Sequence, residues 1–150
     1  MNVDIISNSF VIHHDLDFNK KPCQDNLLIS LYGKIYCGTP NFIDDYREGF
    51  LEIPQSMIGH GDFFALRAKG NSMIDAGIND GDILIIRMQN YAENGQIVVA
   101  RLDQDVTLKR YFLIEDEKRY LLHPENDKYK DIITSECNIM GVAVKIIKNI

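Results

Sequence analysis

The sequence predicts a mainly β domain, on three observations. Its apolar residues collect in short runs of β-branched, Leu and aromatic side chains, such as Ile83-Leu84-Ile85-Ile86 and Ile97-Val98-Val99-Ala100. Such residues suit a pleated surface, where their stiff side chains pack against cross-strand neighbours. The runs end at Gly, Asn or Asp, which supply the special dihedrals of turns. No repeat or low-complexity segment appears. At 150 residues and 45% apolar, the chain can bury roughly two-thirds of its unfolded surface in one core.

The elements follow in order. Residues 1–29 carry only Ile5-Ile6 and Phe10-Val11-Ile12 as strand-like pieces and read as a loosely attached arm. Residues 30–48 read as a strand, a turn at Gly38-Thr39-Pro40 and an acidic stretch at Asp44-Asp45. Residues 49–150 form the core, with strands expected at 63–69, 82–87, 96–102, 106–114, 120–123 and 139–147. Asp103-Gln104-Asp105 fits a hairpin turn. One stretch departs from β character. Ser72 to Ala76 can form a helical turn, with Gly77 suited to the left-handed residue that ends it.

Composition excludes several classes. There are 22 acidic against 16 basic residues, a net charge of −6. A chain that grips phosphate backbones normally carries a basic face. Here the basic residues are scattered, and Lys20-Lys21 is too short a cluster to count, so no DNA binding by this chain alone is expected. No apolar run approaches the ~20 residues of a membrane span, and the N-terminus lacks a signal-peptide pattern. Cys23, Cys37 and Cys137 are odd in number and show no CxxC spacing. That argues against a disulfide framework or a zinc site and for a reducing cytoplasm, with no metal or cofactor expected.

Two residues carry candidate chemistry. Ser72 stands in Gly70-Asn71-Ser72-Met73, and Lys109 stands in Val106-Thr107-Leu108-Lys109-Arg110. A serine hydroxyl is a weak nucleophile until a base takes its proton. A lysine can act as that base when desolvation leaves it neutral near pH 7. On a strand Thr107 and Lys109 share a face, so the Thr107 hydroxyl can orient the amine. The alternatives are an exposed polar face at Thr107-Lys109-Tyr111 and a Gly70-Asn71-Ser72 segment that merely caps a helix. If the turn instead presents a nucleophile, the backbone N–H groups of Asn71 and Ser72 are the candidate oxyanion donors. Local sequence alone does not separate these readings. Cys37 with His13, His14, His60 and His123 could suggest a Cys–His site, but the histidines carry no local signature.

Over roughly residues 30–150 the chain resembles the self-cleaving serine peptidases that include LexA repressors, UmuD polymerase accessory proteins and lambda-type phage repressors. The resemblance rests on Gly33-Lys34-Ile35, Cys37-Gly38-Thr39-Pro40 and Gly70 to Ile78 with Asp80-Gly81-Asp82. It extends through Asn94 to Ala100, Val106 to Arg110 and Pro124-Glu125-Asn126. Cys37 and Ser72 stand 35 positions apart and Ser72 and Lys109 stand 37 apart, similar to the LexA pattern. The resemblance implies a LexA- and signal-peptidase-like twisted β-sheet whose short helical turn carries the nucleophile. It implies that Ser72 is the nucleophile, Lys109 the general base, and Cys37-Gly38 the peptide bond cut in the same molecule. Cys37 is then substrate, its small side chain and Gly38 suiting a cramped site, while Cys23 and Cys137 read as packing residues. A RecA filament on single-stranded DNA is the implied trigger.

Three function classes follow. The first is the self-cleaving half of a LexA-like SOS repressor. It draws on Val106 to Arg110, on Leu122-His123-Pro124-Glu125-Asn126 and on Gly141-Val142-Ala143-Val144. The second is a UmuD-like polymerase accessory, suggested by the short arm and the Cys37-Gly38 pair. The third is an inert dimerisation domain, against which intact Ser72 and Lys109 speak. LexA repressors place a winged helix-turn-helix ahead of the cleavage region, and the 36 residues before Cys37 do not read as one. The expectation is that the DNA-binding domain is missing here, because the sequence starts inside a longer repressor or the protein is short. The apolar run Ile139 to Ile147 is expected to leave a strand edge open to a second copy, giving a homodimer.

Overall fold

The computed structural model describes residues 4–7, 12–13, 25–33, 47–103 and 105–148. Eleven strands lie among them: β1 (Asp4–Ser7), β2 (Ile12–His13), β3 (Asn26–Tyr32), β4 (Arg47–Pro54), β5 (Phe63–Arg67), β6 (Ile83–Met88), β7 (Ile97–Leu102), β8 (Asp105–Ile114), β9 (Arg119–His123), β10 (Ile132–Thr134) and β11 (Asn138–Lys148). One helical turn, α1 (Gln55–Ile58), and two 3-10 turns, Ile74–Ala76 and Glu115–Glu117, complete the described elements. The protein is mainly β, as its sequence predicts.

The strands join in one mixed sheet in the order β10-β9-β8-β7-β11-β6-β5-β3-β4-β2, with β1 paired to β11. The central strands are apolar on both faces because both faces are covered. Ile83 and Ile85 of β6 pack with Phe63, Ala65, Leu31 and Leu51. Leu84 and Ile86, alternating with them, pack on the other face with Phe64, Ile97, Val99 and Ile146. A strand buried on both sides reads as a continuous apolar run rather than an alternation. A third cluster, Val98, Ala100, Tyr111, Leu122 and Val142, fills the region of β7, β8, β9 and β11. Leu102 pairs with Asp105 across the β7–β8 hairpin, so β8 begins at the last residue of the expected turn. Asp103 takes φ 40° there, the left-handed form that hairpin turns require.

Two features differ from the sequence reading. The run expected to leave an open edge is interior to the sheet. β11 pairs antiparallel with β6 from Gly141 to Ile147 and with β7 from Asn138 to Val142, while β1 pairs in parallel with its last four residues. Its ladder groups are taken up within the chain, so the open-edge argument for a second copy does not apply to β11. Apolar composition reveals burial, and it is silent on whether a strand or a second molecule provides the cover. The segment expected as an arm, 1–29, contributes β1, β2 and the start of β3 to the sheet, and Ile29 is buried in the core.

Candidate active site

Ser72 lies in the connection between β5 and β6, which leaves the sheet at Ala68 and returns at Asp82. Two glycines shape it. Gly70 has φ 79°, and Gly77 ends the 3-10 turn at φ 81°, ψ 15°. A side chain at either position would be strained. The apolar residues Met73 and Ile78, each 2% exposed, seat the connection on the core cluster beneath it. Helical geometry begins at Ile74 rather than at Ser72, so the serine sits on the tight turn that precedes the helix. Asp80 Oδ1 accepts the Gly70 N–H at 2.7 Å, closing the base of the connection.

Lys109 arrives from β8, opposite Val98 of β7. It is a buried charged-type side chain at 9% exposure. Its amine donates to Thr107 Oγ1 at 2.7 Å and to the Leu108 carbonyl at 3.0 Å, and lies 3.3 Å from Ser72 Oγ. Thr107 and Lys109 therefore do share a face, as the period of a strand requires. Burial pushes the Lys109 pKa below the ordinary lysine value, because removal from water penalises the ammonium form. A neutral amine has two N–H donors and one lone pair. With Thr107 and Leu108 taking the donors, the lone pair is left for the Ser72 hydroxyl proton.

The turn bearing Ser72 is braced by the segment after β9. Asn126 Nδ2 donates to the Asn71 carbonyl at 2.8 Å, and Tyr129 Oη donates to Asn71 Oδ1 at 2.7 Å. The Asp75 N–H donates to the Glu125 carbonyl at 2.8 Å. Glu125 in turn pairs with Arg110, the neighbour of Lys109, and Arg110 also donates to the Gly95 carbonyl at 2.6 Å. Pro124-Glu125-Asn126 enters the sequence analysis only through the resemblance, and nothing in its local sequence assigns it a role. No local spacing signals the contact of Tyr129 with Asn71.

The other candidates fall elsewhere. Cys37, Gly38, Cys23 and His14 lie outside the described residues, as does the side chain of His13. Cys137 is half-buried beside the third core cluster, and burial pushes its thiol pKa up, as befits a packing residue. His60 accepts from Gln55 at 2.9 Å and His123 bonds Asp131 at 2.6 Å. Among the described residues, no group of three or more His, Cys, Asp or Glu side chains could hold a metal. No helix among them is long and apolar enough to cross a membrane.

Fold and site together define a class: a mainly β domain that presents a turn-borne serine hydroxyl to a desolvated, strand-borne lysine amine. The family model described as Peptidase S24-like matches residues 30–144, and the chain belongs to that family. It is similar to the LexA repressor of Caldicellulosiruptor saccharolyticus, 37% identical over 97% of this chain and 66% of that protein. It is 42% identical to the LexA repressor of Clostridium acetobutylicum over 75% of this chain and 55% of the relative. For the LexA repressor of Arthrobacter sp. the identity is 39% over 84% of this chain and 50% of the relative. The chain thus spans between half and two-thirds of the length of these curated relatives.

Proposed function

We propose that this chain is the self-cleaving serine peptidase portion of a LexA-like SOS repressor, cutting its own Cys37–Gly38 bond. The observation that carries the reading is the buried Lys109 amine 3.3 Å from Ser72 Oγ, with its two other polar contacts already filled. Lys109 accepts the Ser72 proton as Oγ attacks the Cys37 carbonyl carbon. The backbone N–H groups of Asn71 and Ser72 receive the developing oxyanion. The lysine then protonates the departing Gly38 amine, leaving an ester between Ser72 and Cys37 that water hydrolyses. The attacked bond belongs to the same chain, so a high effective concentration replaces diffusion.

Incubation of the purified protein at about pH 10, near the unperturbed lysine pKa, should yield two fragments whose masses place the cut after Cys37. Ser72→Ala and Lys109→Ala should each abolish it with the fold intact. A chain that stays whole, or is cut elsewhere, overturns the assignment. Repression, a cytoplasmic setting, homodimerisation and triggering by RecA on single-stranded DNA belong to the same reading. Sedimentation should give about twice 17.2 kDa, and added RecA filament should speed cleavage at neutral pH by shifting the loop toward its docked form. The polymerase-accessory alternative has less support, since the relatives described above are named LexA repressors.

A further inference from the structure

We infer that Asn126 and Tyr129 are positioning residues that set the orientation of the oxyanion donor at Ser72. The inference rests on the reading of Ser72 as the nucleophile. A trans peptide is planar, and its C=O and N–H point in opposite directions. Whatever holds the Asn71 carbonyl therefore aims the Ser72 N–H. That carbonyl accepts from Asn126 Nδ2 at 2.8 Å and from the Ile74 N–H at 3.2 Å. Among the described residues the Ser72 N–H donates no hydrogen bond of its own, so it stays free for an incoming oxygen. Rotation of this peptide would turn a carbonyl oxygen toward the site and break both bonds to it.

The brace has the rigidity such a task needs. Tyr129 Oη grips the Asn71 side chain at 2.7 Å, so both ends of Asn71 are held by one segment. That segment is folded on itself, with the Lys128 N–H on Asn126 Oδ1 at 3.0 Å and the Tyr129 N–H on the Asn126 carbonyl at 3.0 Å. The Glu125–Arg110 pair ties it to β8 next to Lys109. Nucleophile turn and base strand thus share one tether, independent of the direct Ser72–Lys109 contact. Asn126 and Tyr129 touch neither reacting atom.

The test uses Tyr129→Phe and Asn126→Ala in the full chain, with wild type and Ser72→Ala as references. Three readouts are taken: the self-cleavage rate across pH, the thermal midpoint, and labelling of Ser72 by a fluorophosphonate. The probe needs no cleavage segment: Ser72 Oγ bonds to its phosphorus as fluoride leaves, with the P=O oxygen in the oxyanion position, so it reports on the donor and not on docking. Loss of a donor's alignment should lower the plateau rate and the labelling rate together. We expect a fall of about 3- to 10-fold for Tyr129→Phe and roughly 100-fold for Asn126→Ala. The pH midpoint should not move, because Lys109 is untouched. Asn71→Ala combined with Tyr129→Phe should be no slower than Asn71→Ala alone, since the hydroxyl acts only through that side chain. A shifted midpoint, additive losses, or rates equal to wild type in folded variants each overturn the inference while leaving the peptidase assignment standing. Wild type that neither cleaves nor labels, indistinguishable from Ser72→Ala, overturns both.

Discussion

Ser72 and Lys109 meet at 3.3 Å, yet two different kinds of scaffold deliver them. Lys109 stands within β8, paired with Val98 of β7, where the ladder fixes its backbone and its side chain is buried. Ser72 stands outside any regular element, on a turn bent by two left-handed glycines and braced by Asn126 and Tyr129. The difference follows from what each group needs. A lysine becomes a base at moderate pH only when it is dry, and a strand interior is dry. A nucleophile must reach a substrate and sit beside free N–H donors, which a fully paired strand does not leave. So the proposed base is placed by burial and the proposed nucleophile by backbone conformation and polar bracing.

The strongest way to break this comparison is Lys109→Arg. If dryness matters because it yields a neutral amine, a guanidinium, which stays charged at any usable pH, cannot replace it. Self-cleavage should fall by about 10³-fold or more, read as fragment accumulation on a denaturing gel. In wild type the rate should climb with pH and level off below the ordinary lysine value of 10.5. An arginine variant cleaving within tenfold of wild type would remove Lys109 as the base.

Gly77→Ala probes the other scaffold. Nothing lies within 4 Å of a Cβ built there, so the cost is the left-handed backbone alone. Stability should drop by about 1–2 kcal/mol, seen in the urea midpoint, and by the same amount at pH 6 and pH 9. A neutral result would mean that the turn relaxes into another form.

Lys109→Met sharpens the contrast with the smallest effect. The native state holds Lys109 at a lowered pKa, so between that value and 10.5 it binds fewer protons than the unfolded chain. The burial cost of the charge is full below the native pKa and fades as pH rises toward the unfolded value. Removing the amine should therefore raise stability near pH 7, with the gain shrinking as pH rises and vanishing above pH 10.5. A gain that does not change with pH would show that packing, and not charge, is responsible.

Much of the sheet is legible in the sequence, because each strand carries its own signature. Ile83-Leu84-Ile85-Ile86 reads as a strand without any knowledge of its neighbours, and Leu102 and Asp105 flank a recognisable hairpin. What cannot be read is adjacency. A period of two assigns residues to faces and not strands to partners, so β11 reads as an edge although β6, β7 and β1 enclose it. The site divides the same way. Thr107 and Lys109 are two residues apart on one strand, and their contact follows from strand geometry. Ser72 and Lys109 are 37 positions apart, and only the resemblance brings them together. Asn71 is 55 positions from Asn126 and 58 from Tyr129, with no motif to join them.

One consequence lies in the place of β3. It pairs with β4 over its whole length and reaches β5 at Leu31 and Tyr32, with Leu31 fully buried between them. The proposed cut falls after β3 and before β4, so it severs the chain without severing the sheet. Both pieces would stay in one nicked, two-chain body until β1, β2 and β3 are pulled away from β11, β4 and β5. Scission and separation would then run on two clocks, and Ser72 and Lys109, in their proposed roles, would set only the first.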